Sequence, residues 1–217
     1  MSSELLDMFL SSFNQTLLMV GISGVVGALL GVPLGVLLHL TNNGGVVSNL
    51  FFNRTIGVVV NAVRSIPFII LLVLVIPLTR FLVGTSIGTT AAIVPLTIAA
   101  VPFIGRLVEA ALREVDKGLV EAAQSMGATT RQIVWKVLLP EAMPGIVAGL
   151  TITFVSLVGY SAMAGAVGGG GLGDLGIRYG YQRYETEIMV AVVLVLIVFV
   201  QAVQSFGDWL VRRISHR

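Results

Sequence analysis

The 217-residue chain contains no cysteine, an absence that removes disulfides, thiolate-bound zinc, iron–sulfur clusters and thiol nucleophiles together. Histidine is almost missing as well. His39 and His216 are the only two, too few for a clustered histidine metal site or for most histidine-based acid–base schemes. Charge is scarce, at 11% Asp, Glu, Lys and Arg against 56% hydrophobic residues and a mean hydropathy of +0.97. A soluble globular domain carries about a quarter of its residues charged, so water is not the main solvent of this chain. Thirteen bases and eleven acids leave a net charge of +2, which is a small imbalance in a charge-poor chain and not a basic surface; nucleic acid is not an expected partner. No Gly-Lys-Ser or Gly-Lys-Thr occurs anywhere, hence no Walker A phosphate loop.

What the chain has instead is long apolar runs. A helix needs about 20 mostly apolar residues to cross a hydrocarbon core of roughly 30 Å, and five stretches qualify, at 16–40, 66–83, 86–104, 144–163 and 188–207. The expected fold class is all-α, a polytopic membrane helical bundle forming one transmembrane domain over 1–217. The first run is flanked by Glu4 and Asp7 where a cleavable signal has bases, and is expected to stay in the mature protein. Arg64 is costly at mid-membrane and is expected near the membrane surface, so residues 46–63 read as an interfacial helix or as an extension of the second span.

Lys and Arg accumulate on the cytoplasmic side of membrane proteins. With the N-terminus outside and the C-terminus inside, the inner side holds Arg54, Arg64, Arg106, Arg113, Lys117, Arg131, Lys136, Arg212, Arg213 and Arg217, and the outer side only Arg80, Arg178 and Arg183. Gly27, Gly31 and Gly35 recur every four residues on one face of the first span, a spacing that lets helix backbones approach closely. Pro33, Pro77, Pro95 and Pro102 lie within the first three spans and interrupt their hydrogen-bond ladders.

The loop at about 106–143 does not read as a linker. Asp116 is placed to cap a helix running to Met126, with Gly127 as its left-handed stop. Thr129 and Gln132 have capping-box spacing for a second helix, which Pro140 is expected to end. The acids Glu114, Asp116, Glu121 and Glu141 balance the bases Arg113, Lys117, Arg131 and Lys136. A neutral surface of mixed sign suits a protein partner better than anionic lipid.

Within this loop Glu121-Ala122-Ala123, then Gly127 after three residues, then Val137-Leu138-Leu139-Pro140 after nine more, resembles the EAA loop of ABC importer permeases, with Val137 in place of the usual isoleucine. Arg64-Ser65-Ile66-Pro67-Phe68, 83–88, 91–97 and 157–163 extend the resemblance over nearly the whole chain, and it is strongest to the methionine-type permeases of the type I importer fold. The resemblance implies a membrane-spanning permease subunit that moves D- or L-methionine across the bacterial cytoplasmic (inner) membrane by alternating access. It implies no cofactor on this chain, with ATP and Mg2+ held by two copies of a cytoplasmic ABC ATPase. Further implied partners are a second copy of this chain and an extracytoplasmic, lipoprotein-type methionine-binding protein. Glu121, Ala122, Ala123, Gly127, Leu139 and Pro140 are the implied ATPase-coupling residues. Another amino acid or small solute is an alternative cargo. An independent ion-coupled carrier or channel is a weaker one, because no Asp or Glu falls within the five spans.

Candidate pathway residues are Asn61 and Ser65, facing an inner cavity, and Tyr160, Ser161 and Met163 near the outer end of the fourth span, where Met163 offers a polarizable surface to a thioether; plain helix packing accounts for the same residues. Gly168, Gly170 and Gly173 fit G-x-G-x-x-G but follow a transmembrane helix and no strand, so they read as a flexible outer loop or gate and not as a nucleotide site. A hydrolase reading of Ser161 lacks a base, since His39 is expected at the opposite membrane face.

Overall fold

The computed structural model describes residues 3–43 and 45–215; His216 and Arg217, counted above, lie outside the described residues. Ten α-helices and no strand occur among these residues. Four helical segments are long and apolar enough to cross a membrane, beginning at Leu5, Thr89, Thr130 and Thr186, and a fifth arises if a sharply bent pair counts as one span.

Helix α1 (Ser3–Thr41) and helix α5 (Thr89–Arg113) form the closest pair, and the glycine spacing explains why. A Cβ at Gly27 would stand 2.8 Å from Ala100 Cβ, at Gly31 2.7 Å from Ile104 Cβ, and at Gly35 2.6 Å from both the Gly105 carbonyl oxygen and Val108 Cβ. The residues of α5 advance with those of α1, so the two helices run parallel with backbones in near contact. Gly35→Ala is therefore expected to lower the thermal stability of the purified protein by about 1–3 kcal/mol, the usual cost of overpacking. Gly21→Ala, on the same helix but with no neighbouring atom within 4 Å of the new Cβ, is expected to be neutral or to raise it by about 0.5–1 kcal/mol through helix propensity. Thermal unfolding in detergent checks both signs.

Helix α8 (Leu139–Ala164) lies antiparallel to α5, with Gly145 against Ala111 and Gly149 against Leu107. These three helices share one core, in which Leu96, Ile104, Val108, Leu112, Leu138 and Leu157 are fully buried. Helix α10 (Thr186–Ile214) joins from outside, with Gly207 against Thr151. Only 11% of its most apolar window is buried, which fits a helix whose outer face meets lipid.

The second span is drawn differently from the sequence expectation. Helix α2 (Leu50–Ser65) ends at Ile66, whose extended backbone (φ −80°, ψ 125°) is what Pro67 imposes on the residue before it. Helix α3 (Phe68–Leu74) then leaves at 106° to α2. Helix α4 (Ile76–Val83) follows a break at Val75, because Pro77 in its first turn has no N–H and crowds the preceding carbonyls. What reads as one span at 66–83 is thus two helices of seven and eight residues, each too short to cross alone.

The glycine-rich segment after α8 is packed, against the expectation of a flexible loop. The Gln15 side-chain carbonyl accepts from Gly171 N–H (2.7 Å) and Thr16 Oγ from Leu172 N–H (2.9 Å), fixing helix α9 (Gly171–Leu175) to α1. A Cβ at Gly173 would collide with the Ala162 backbone at 2.4 Å. The small residues serve close packing here and not mobility.

Candidate functional site

The segment at 114–138 folds as the hairpin its caps dictate. Asp116 Oδ1 accepts from Gly118 N–H (2.8 Å) and opens helix α6 (Lys117–Ser125). Gly127 then adopts φ +77°, a conformation that costs residues with a Cβ about 1–2 kcal/mol. Thr129 and Gln132 form both arms of a capping box at the start of helix α7 (Thr130–Ile133).

The second arm does not end at Pro140. It passes through a π-helical turn, Val134–Leu138, directly into α8, giving one continuous helical path from Thr130 to Ala164. The Leu139 N–H reaches back five residues to the Val134 carbonyl. This wider turn brings Pro140 into the first turn of α8, where its missing N–H and its ring are tolerated. The hairpin and the fourth span are therefore parts of one rod.

The inner face of the hairpin is fused to the membrane core, since Ala123, Ile133, Val134 and Leu138 are buried in the same cluster as Val108, Leu112 and Ala142. Its outer face is open and apolar: Leu119 (45% exposed) and Met126 (82% exposed) lie along one stripe of α6 with the exposed Ala122. That stripe borders a groove of about 320 Å³ that also takes in Lys136, Pro140 and Glu141. Glu121 is exposed on a different side, lining a cavity of about 680 Å³ with His39, Asn42, Arg113 and Lys117. Of the six residues singled out in this loop, Ala122, Ala123 and Pro140 meet at the groove, Glu121 faces the neighbouring cavity, Gly127 forms the turn, and Leu139 is half-buried against the core.

The candidate pathway residues separate. Asn61 and Ser65 are exposed one turn apart on α2, with the Ser65 hydroxyl donating to the Asn61 backbone carbonyl (2.8 Å). Tyr160 stacks face to face on Phe68, at 4.7 Å between ring centroids, so α8 meets the α2–α3 corner there. Met163 is exposed one turn further along α8. Ser161 is 2% exposed and its hydroxyl donates to the Val158 carbonyl (2.8 Å), an arrangement that serves packing.

One feature of the site went unseen in the sequence. Helix α5 continues past residue 104 to Arg113, which draws Glu109 into the bundle at 2% exposure. Its carboxylate accepts from Arg106 Nη1 (2.7 Å) and from Arg113 Nη2, while Arg106 Nη2 donates to the Gly57 carbonyl of α2 (3.1 Å). The acid thus links the base of α5 to α2, immediately before the hairpin. The spacing i, i+3, i+7 of Arg106, Glu109 and Arg113 on one helix face was the available signal. Among the described residues no group of His, Cys, Asp and Glu is arranged to hold a metal ion.

The family model for the binding-protein-dependent transport system inner membrane component matches residues 31–216. A Vibrio cholerae protein named probable D-methionine transport system permease protein MetI is 62% identical over 97% of this chain and 94% of its own length. The Escherichia coli D-methionine transport system permease protein MetI is 54% identical over 76% of each chain. Among solved structures, a chain of the MetNI methionine ABC transporter in an inward-facing conformation superposes with a TM-score of 0.98 at 51% identity, covering both chains completely. A chain of an amino acid ABC transporter solved with histidines superposes at 0.79 with 21% identity, covering 97% of this chain and 95% of its own, and shares the fold.

Proposed function

Because the chain belongs to the family of binding-protein-dependent transport system inner membrane components, we propose that it is the membrane-spanning permease subunit of an ATP-driven importer of methionine, working as a homodimer in the bacterial inner membrane. The observation that carries the mechanism is the continuous helical path from Thr130 through the π-helical turn to Ala164: a force applied to the hairpin acts on the fourth span without an intervening flexible joint. The open stripe of Leu119, Ala122 and Met126, rimmed by Lys136 and Glu141, is the docking face for a cytoplasmic ATPase, which supplies the ATP and Mg2+ chemistry that this chain has no phosphate loop to perform. Two ATPase copies close on ATP and push the two hairpins as rigid bodies; hydrolysis lets them part, and the spans alternate between outward and inward access. The N-terminus lies outside and the hairpin and C-terminus inside, in keeping with the distribution of Lys and Arg. An extracytoplasmic binding protein delivers methionine to the outer face.

The test is reconstitution of this chain with its ATPase and binding protein in liposomes. Methionine should stimulate ATP hydrolysis and accumulate inside only when ATP is present on the ATPase side, and other amino acids should do neither at equal concentration. Accumulation driven by an ion gradient without ATP would overturn the reading.

A further inference from the structure

We infer that the pocket at the α2–α3 corner is a transit site for the substrate's α-carboxylate, with the Arg64 guanidinium as its cation and the Phe68–Tyr160 stack as the wall beside it; this rests on the reading that the chain transports an amino acid. The bend at Ile66-Pro67 places Arg64 on the last turn of α2 and Phe68 on the first turn of α3. The guanidinium carbon lies 5.7 Å from the centroid of the Phe103 ring. Phe103 sits fourteen residues from the start of α5 and ten from its end, or about 21 and 15 Å along the axis at 1.5 Å per residue. Phe103 lies at the inner end of the apolar stretch 86–104, which places Arg64 toward the inner side of the bundle.

Arg64 is exposed, and its contact with the Phe103 ring, a cation–π interaction worth about 0.5–2 kcal/mol, leaves the guanidinium free to take an anion. Arg106, Arg113 and Arg178 each hold a carboxylate, but among the described residues Arg64 has neither an ion pair nor a hydrogen bond. The Tyr160 hydroxyl also has no hydrogen-bond partner among them, and it borders the same pocket. The lining contains no acid: besides Arg64 it is formed chiefly by Phe68, Leu71, Ala99, Phe103 and Tyr160. An entering carboxylate would be the sole anion and would meet a planar fork of donors suited to bidentate binding, with a phenol as further donor. The volume of about 120 Å³ is below the roughly 300–1,000 Å³ of pockets that enclose drug-sized ligands. It fits the head of a small amino acid held briefly, with the side chain resting on the aromatic stack.

The experiment uses the intact transporter in liposomes and a diazirine analogue of methionine as photolabel, mapped by peptide mass spectrometry. Label is expected on 64–71, 99–103 or 160. Excess methionine should remove it, and methioninol, which lacks the carboxylate, should not. Arg64→Gln should lower labelling about tenfold, as loss of one charge-assisted contact predicts, while basal ATP hydrolysis is retained; Arg64→Lys, which keeps the charge but not the fork, should restore labelling only in part. If Arg64→Gln does not assemble, Tyr160→Phe carries the test and should weaken competition by methionine severalfold. The inference is overturned by label confined to other segments, by equal competition from methioninol, by wild-type labelling in Arg64→Gln, or by unchanged competition in Tyr160→Phe. Labelling insensitive to methionine would mean that a lipid headgroup occupies the pocket and would overturn it as well. A transporter that accumulates methionine yet fails these tests refutes the transit site alone; one that does not accumulate methionine refutes the cargo.

Discussion

Glu109→Ala is expected to destabilise the protein by about 3–5 kcal/mol, the usual result of removing one partner from a buried ion pair. The penalty comes mainly from Arg106, whose side chain is 22% exposed and loses its carboxylate, and less from Arg113, which at 55% exposed regains water. Arg106 Nε is already buried without a partner, so the guanidinium has no spare acceptor to turn to. Removing both ends should be far milder: Glu109→Ala combined with Arg106→Met leaves no orphaned charge, and replacement of a buried pair by apolar groups is often close to neutral. Thermal unfolding of wild type, both single variants and the double variant closes the cycle. A loss under about 1 kcal/mol for Glu109→Ala, or a double variant no better than the single, would show that the cluster is not a structural clamp.

Gly127→Pro should abolish ATP-driven uptake while leaving the transmembrane bundle folded. The left-handed φ of +77° is closed to proline, whose ring fixes φ near −65°, and the Gly127 N–H that donates to the Gln124 carbonyl (2.9 Å) would be lost; together these cost about 3 kcal/mol or more. Gly127→Asn should retain much of the uptake, because asparagine visits the left-handed region more readily and no atom stands within 4 Å of the added Cβ. Glu121→Arg leaves the turn intact and reverses a charge on the exposed side of α6, so it should lower uptake through the contact with the ATPase and not through stability. Uptake assays paired with melting curves separate the two effects. Wild-type uptake in both Gly127→Pro and Glu121→Arg would remove the hairpin from the mechanism.

The hairpin was legible because its signals are local. Asp116, Gly127 and the Thr129/Gln132 pair each act within four residues, and each occupies the role its spacing predicts. The Gly27/Gly31/Gly35 face was legible for the same reason, although its partner, α5, was not. Where long-range packing decides, local reading stopped short. Pro140 was read as a terminator, but a π-helical turn passes the helix through it. Glu109 looked like a loop acid because hydropathy falls after residue 104, whereas the helix continues and neighbouring arginines neutralise the charge. The 66–83 stretch is apolar but for Thr79 and Arg80, and composition cannot say that Pro77 divides it into two short helices or that Pro67 turns the first of them 106° from α2. The meeting of Tyr160 with Phe68 joins segments more than 90 residues apart, a contact that neither periodicity nor spacing encodes.

The most direct measurement exploits the absence of cysteine. A lone Met126→Cys, on a residue 82% exposed at the outer stripe of α6, can be crosslinked in the reconstituted transporter with and without ATP. The account predicts that the crosslink joins this chain to the ATPase subunit and that its yield changes with nucleotide. Failure to reach the ATPase in any nucleotide state, or a crosslink to the extracytoplasmic binding protein instead, would contradict it.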